Sequence, residues 1–79
     1  MQDIKERIRI DIGKFGVSTK MIEKASLNKE ELGVVELAKL YAKDSQTWLE
    51  KGDIDTSFAS IAYAHGLLDA ILKIKKLIE

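Results

Sequence analysis

The chain has 79 residues, with thirteen basic and thirteen acidic side chains, no proline and no cysteine. This length suits one small domain, so residues 1–79 are expected to fold as a single helical unit. The lack of cysteine excludes disulfides and thiolate chemistry. A net charge of zero, without a basic cluster, weighs against nucleic acid and anionic membranes as partners.

No apolar run approaches the roughly 18 residues that a bilayer-spanning helix needs, so a membrane partner is not expected. The N-terminal residues 1–6 lack the apolar segment of a secretory signal. We therefore expect a cytoplasmic protein.

The first predicted helix covers residues 2–25, because isoleucines and a phenylalanine recur on one side at helical spacing. Two features oppose this prediction. Residues 8–12 alternate as a strand would, and Gly13 and Gly16 each weaken a helix by up to about 1 kcal/mol. A break near Gly16, with Ser18 capping a short continuation, is the alternative. Helix is preferred because a lone strand would have no partner.

The second predicted helix covers residues 28–51. Asn28 suits the N-cap and Glu31 the third helical position, which together make a capping box. Gly52 then suits the left-handed position after a helix, and Asp53 suits the N-cap of the next helix. So short a connection predicts two antiparallel neighbours. The face expected to be buried consists of Val34, Leu37, Ala38, Tyr41, Ser45, Trp48 and Leu49.

The third predicted helix covers residues 54–78 and has two apolar faces. Two faces require two neighbours, either both from this chain or one from another subunit. One face is formed by Ile54, Phe58, Ile61 and Ala62. The other includes the five residues that we predict to form an interface: Tyr63, Leu67, Ile71, Ile74 and Ile78. The whole pattern predicts an all-α, up-and-down three-helix bundle.

One polar group is a candidate ligand-binding site between the second and third helices. It consists of Tyr41, Asp44, His65 and Asp69. His65 and Asp69 stand four residues apart, so their side chains could meet on one helix face. The competing interpretation is structural: these groups satisfy one another or the solvent at the rim of the bundle, and we favour it.

No motif for metal, cofactor or catalysis is present in the sequence. One histidine with scattered aspartates lacks the ligand spacing of a zinc site. Asp53 and Asp55 lack the following glycine and glutamate of a calcium loop. There is no phosphate-binding glycine loop and no recognisable nucleophile motif. We expect no metal, no cofactor and no catalytic residues, and we favour a non-enzymatic protein.

Three motifs resemble those of an archaeal family catalogued as domain of unknown function 357. They begin at Tyr41, Trp48 and Tyr63, and read Tyr-x-x-Asp-Ala, aromatic-Leu-x-x-Gly-Asp and Tyr-Ala-x-Gly-x-Leu-Asp-Ala in the family. Here Ser45 replaces the alanine of the first motif. The chain also continues after Ala70 with an apolar helix end where the family commonly has glycine.

The resemblance implies an archaeal cytoplasmic origin and a left-handed three-helix bundle. It implies no activity, because none is assigned to the family. Together with the two-faced third helix, the apolar end favours a module that associates with itself or with an unknown protein partner. The alternative is a small-ligand or enzyme-accessory domain that uses the polar group.

Overall fold

The computed structural model describes residues 3–78, and these form three helices. Helix α1 covers Ile4–Glu23, α2 covers Lys29–Glu50 and α3 covers Ile54–Ile74. The helices run up, down and up, which confirms the predicted three-helix bundle. The contact between α2 and α3 is the most extensive, and α1 packs mainly on α3. Helix α3 therefore has the two neighbours that its composition requires.

Helix α1 is continuous through both glycines, so the break near Gly16 does not occur. Ile8, Phe15 and Ile22 stand seven residues apart and are all buried, which fixes one helical face along the whole segment. The carboxylate of Asp3 caps the helix by accepting a hydrogen bond from the Lys5 amide at 3.4 Å. The predicted range of 2–25 was too long: Lys24 is the C-terminal cap, and residue 2 lies outside the described part.

Helix α2 begins with the predicted capping box. The Asn28 side chain accepts a hydrogen bond from the Glu31 amide at 2.8 Å, and the Glu31 carboxylate accepts one from the Asn28 amide at 2.9 Å. Asn28 and Lys51 are the two caps, so the predicted range of 28–51 is confirmed.

The corner between α2 and α3 has the predicted chemistry. Gly52 has φ of 84°, the left-handed conformation that glycine adopts without strain. The Asp53 amide donates to the Trp48 carbonyl at 3.0 Å, which satisfies an orphan group at the end of α2. The Asp53 carboxylate in turn caps α3, accepting from the amide of Thr56 at 3.1 Å and from its hydroxyl at 2.8 Å.

The end of α3 is the main error of the sequence prediction. The helix stops at Ile74 and not near residue 78, because Lys76 adopts the left-handed conformation with φ of 58°. The Leu77 amide then donates to the Leu72 carbonyl at 2.9 Å and closes a Schellman motif without glycine. Periodicity alone gave no sign of this stop, since the apolar spacing continues to Ile78.

The core is formed by one stripe from each helix, and these stripes differ from the predicted faces. In α2 the buried residues include Val35 and Ala42, whereas the predicted Leu37 and Trp48 are exposed. In α3 the predicted Phe58 and Ala62 are exposed. The buried apolar residues are Ile8, Phe15, Ile22, Val35, Ala38, Ala42, Ile61, Ala64, Leu68, Ile71 and Leu72.

Two serines join α2 to α3 inside this core. Ser45 and Ser57 are fully buried, and their hydroxyl oxygens lie 3.1 Å apart. The Ser45 hydroxyl donates to the Ser57 carbonyl at 2.8 Å, and the Ser57 hydroxyl donates to the Ser45 carbonyl at 2.6 Å. Each buried hydroxyl is thereby satisfied, which avoids the cost of an unpaired polar group. We call this pair the serine clasp.

An ion pair joins the start of α2 to the end of α3, on the side of the bundle away from the corner at Gly52. Lys75 Nζ lies 2.8 Å from Glu31 Oε1, the same oxygen that completes the capping box. The hydrogen bond from Lys75, followed by that from the Asn28 amide, lowers the pKa of Glu31 below its ordinary value of 4.5. The ionised carboxylate is therefore stabilised by the folded state.

Replacing an exposed helical glycine should stabilise the protein. A Cβ added at Gly13 meets nothing within 4 Å, so Gly13→Ala should raise the free energy of unfolding by about 0.5–1 kcal/mol. Gly52→Ala should lower it by about 1 kcal/mol, because alanine is strained at positive φ. Urea denaturation measures both changes, and two changes of the same sign would contradict the helix and corner assignments.

The Glu31–Lys75 pair should make stability depend on pH in one direction. Because the pKa of Glu31 is lowered on folding, its contribution is complete above the ordinary pKa of 4.5 and is lost as pH falls through the folded-state value. Glu31→Gln keeps the capping geometry but removes the charge. Its urea midpoint should lie below that of the wild type at neutral pH, and the two should converge in acid.

Glu36→Gln is the matched control for this experiment. Glu36 contacts Lys39 at 3.6 Å on an exposed surface, where an ion pair contributes little. If the difference in urea midpoint between wild type and Glu31→Gln stays constant from neutral to acid pH, the ionisation of Glu31 is not linked to stability.

Candidate functional site

His65 faces helix α1 and not the predicted Asp69. Its Nε2 atom lies 2.7 Å from the carbonyl oxygen of Asp11, and its ring meets that of Phe15 edge-on with centroids 5.7 Å apart. A carbonyl oxygen only accepts hydrogen bonds, so Nε2 carries the proton and donates. The half-buried imidazole thus links α3 to α1.

The two acidic residues of the candidate group lie on the surface. Asp44 and Asp69 are both exposed, and no ion pair involves either of them within residues 3–78. Tyr41 contacts the α3 side chain of Tyr63, while His65 contacts α1. The groove that Tyr41 lines does not include Asp44, His65 or Asp69. Ligand binding by this group stays a prediction.

Tyr41 instead lies in an open groove between α2 and α3. Its ring contacts that of Tyr63 at a centroid distance of 4.6 Å and an interplanar angle of 69°. The groove has a volume of about 570 Å³ and is mostly apolar, with hydroxyl groups and one carboxylate at its edge. Its lining residues are Tyr41, Asp55, Thr56, Ala59, Ser60 and Tyr63. The sequence pattern indicates Tyr41 and Tyr63 as candidate residues, but it does not predict that they contact each other across two helices.

The five predicted interface residues occupy different environments. Tyr63 is 50% exposed and Ile74 is 66% exposed, and Ile78 is also exposed, beyond the end of the helix. Leu67 is half-buried. Ile71 is only 4% exposed and belongs to the core of the single chain, because it lies on the side of α3 that faces the bundle.

The exposed members share one side of α3 with small residues that are also exposed. We define the outer face of α3 as Ala59, Ala62, Tyr63, Gly66, Ala70 and Ile74. These positions follow the helical repeat, so they form one continuous strip opposite the core. None of them carries a charge or a side-chain amide. Asp55 and Lys73, both exposed, stand at the two ends of the strip.

The described residues contain neither a cluster of metal ligands nor a helix that could span a membrane. Among residues 3–78, no three histidine or acidic side chains lie close enough together to hold a metal ion. None of the helices α1 to α3 combines the length and the apolar character needed to cross a bilayer.

Substitution can test whether His65 interacts with α1 or with Asp69. His65→Ala should lower the free energy of unfolding by about 1–3 kcal/mol, because it removes a tertiary hydrogen bond and a contact with Phe15. Asp69→Ala should change it by less than about 0.5 kcal/mol. Thermal unfolding of both variants measures this difference; equal losses would contradict the assignment of His65 to α1 alone.

Comparison with known proteins agrees with the motif resemblance. No curated protein matches the chain at a significant level. The family model described as protein of unknown function (DUF357) matches residues 16–77, which include α2, α3 and their corner. The match covers most of the chain, and the protein therefore belongs to the DUF357 family.

Proposed function

We propose that this protein is a non-enzymatic domain for self-association or protein interaction, and that it docks its partner on the outer face of α3. The observation that carries the proposal is the uncharged strip of exposed residues along this helix. A helix at the surface of a monomer normally presents charged and polar side chains to water. We also expect the domain to act in the cytoplasm.

The composition of the strip suits protein contact. Tyr63 and Ile74 provide exposed apolar area, and aromatic side chains are enriched at the centres of interfaces. Ala59, Ala62, Gly66 and Ala70 are small, so a second helix could approach closely and exclude water along the strip. Contiguous exposed apolar surface of this kind commonly marks an interaction site.

The groove beside the strip supports a second candidate function. Two tyrosine rings, two hydroxyl side chains and the carboxylate of Asp55 could hold a small ligand. This groove is open to solvent and contains only Tyr41 of the predicted polar group. The ligand-binding or enzyme-accessory role is therefore the less favoured proposal.

Substitution of Ile74 tests the docking surface. Ile74→Lys places a charge on the strip and should weaken association by about tenfold to a hundredfold, since burying an isoleucine is worth about 1.5–3 kcal/mol. Association is measured as solution mass and as binding of partner proteins that wild type retains from cell extract. Circular dichroism should show unchanged helix content, because Ile74 is 66% exposed.

Val17→Lys is the matched control. Val17 is 64% exposed in α1, so the same charge enters a similarly exposed apolar position on another helix. If Ile74→Lys and Val17→Lys both behave as wild type, the outer face of α3 is not the docking surface and the proposal fails.

A further inference from the structure

We propose that the partner of the outer face of α3 is a second copy of this chain, bound antiparallel with its α3 packed along the first. This inference rests on the proposed docking surface and specifies what occupies it. The register is centred near residues 64 and 65, midway between Asp55 and Lys73. Three features carry it: the charges at the ends of the strip, the sizes of the residues along it, and the exposed area.

The charges at the two ends are opposite and stand on one line of the helix. Asp55 lies in the first turn of α3 and Lys73 in its last turn. They are 18 residues apart in sequence, which is five turns and about 27 Å along the axis. Within residues 3–78, neither side chain forms an ion pair with another residue. Both are therefore available to a partner.

Antiparallel two-fold pairing brings these opposite charges together. The two-fold axis crosses the middle of both α3 helices, so residues at equal distances on either side of it lie opposite each other. The same side of each helix then lies along the same edge of the contact. Asp55 of each copy would lie beside Lys73 of the other, which gives two equivalent ion pairs. Parallel pairing would instead gather both aspartates at one end and both lysines at the other, where like charges repel.

The same register matches large residues to small ones. Tyr63 of one copy would pack over Gly66 of the other, and Ala59 would meet Ala70. A glycine opposite the only ring on the strip leaves space for that ring. Within the monomer a Cβ added at Gly66 meets nothing within 4 Å. Gly13, Gly16 and Gly33 are equally open, so it is the position of Gly66 in an uncharged strip that distinguishes it.

The exposed area is larger than that of an average compact monomer. The accessible surface is 5471 Å². A compact monomer of 8.9 kDa is expected to expose only about 4800 Å². The chain therefore exposes about 650 Å² more surface than an average compact monomer of its mass, and association with a partner can bury such surface. The dimensions of 37 × 24 × 15 Å describe a flattened body with a broad side for this contact.

The first test is the oligomeric state of the full chain by sedimentation equilibrium, from micromolar to near-millimolar concentration. Wild type should form dimers. Gly66→Leu should weaken the dimer by about tenfold to a hundredfold, because the added side chain would overlap Tyr63 of the partner. Gly13→Leu, which enlarges an equally open glycine in α1, should leave the dimer unchanged.

A charge exchange tests the antiparallel register. Asp55→Lys should weaken the dimer by about tenfold, because two attractive pairs become repulsive. The double variant Asp55→Lys, Lys73→Asp should restore the wild-type dissociation constant to within about threefold. Glu6→Lys, which reverses an acidic residue in the first turn of α1, controls for the effect on a helix start. Circular dichroism checks that each variant is folded.

The outcomes separate this inference from the proposed function. A wild type that is monomeric at every concentration overturns the second-copy inference, even if Ile74→Lys abolishes binding of another protein, in which case the docking surface stands. A dimer that Gly66→Leu and Ile74→Lys both leave intact overturns the two together. A dimer that Gly66→Leu weakens but that the double charge variant does not restore overturns the antiparallel register.

Discussion

The serine clasp sets the distance between α2 and α3, and the other contacts of the bundle depend on that distance. Each hydroxyl reaches a carbonyl of the opposite helix over 2.6–2.8 Å, which a side chain as short as serine can do only where two helices approach closely. Ala38, Ala42 and Ala64 complete the buried surface with small side chains, so this closeness continues through the core. Helix α1 contributes larger side chains to the core, namely Ile8, Phe15 and Ile22. The bundle thus combines one close helix pair with one more distant helix.

Single residues at both ends of this close pair serve two helices at once. The Asp53 amide donates the final backbone hydrogen bond to α2 and the Asp53 carboxylate caps α3, so one residue ends a helix and starts the next. At the other end, Glu31 completes the cap of α2 and binds Lys75 at the end of α3. His65 provides the corresponding polar link to α1. These few polar contacts fix how the helices are aligned, while the apolar core supplies most of the free energy of burial.

Local chemistry could be predicted from the sequence, whereas rotation of the helix faces could not. The capping box at Asn28 and the corner at Gly52 depend on neighbouring residues only, and both were found. Helix α3 is apolar or small around most of its circumference, so periodicity does not identify which side faces inward; Ala64, Leu68 and Leu72 were missed for this reason. In the candidate site, the spacing allowed His65 to meet Asp69, but the imidazole donates its hydrogen bond to the Asp11 carbonyl on α1 instead. The exposure of Tyr63 and Ile74 required the packed structure, since in sequence both resemble core residues.

The unequal contacts of the three helices also imply an order of assembly. Helices α2 and α3 are joined by a short corner and share the most extensive contact, so their hairpin closes at little cost in chain entropy. Helix α1 attaches through fewer contacts and mainly to α3. Regions with fewer buried contacts open first in native-state hydrogen exchange. We therefore expect the α2–α3 hairpin to form first in folding, and the amides of α1 to lose their protection from exchange before those of α2 and α3.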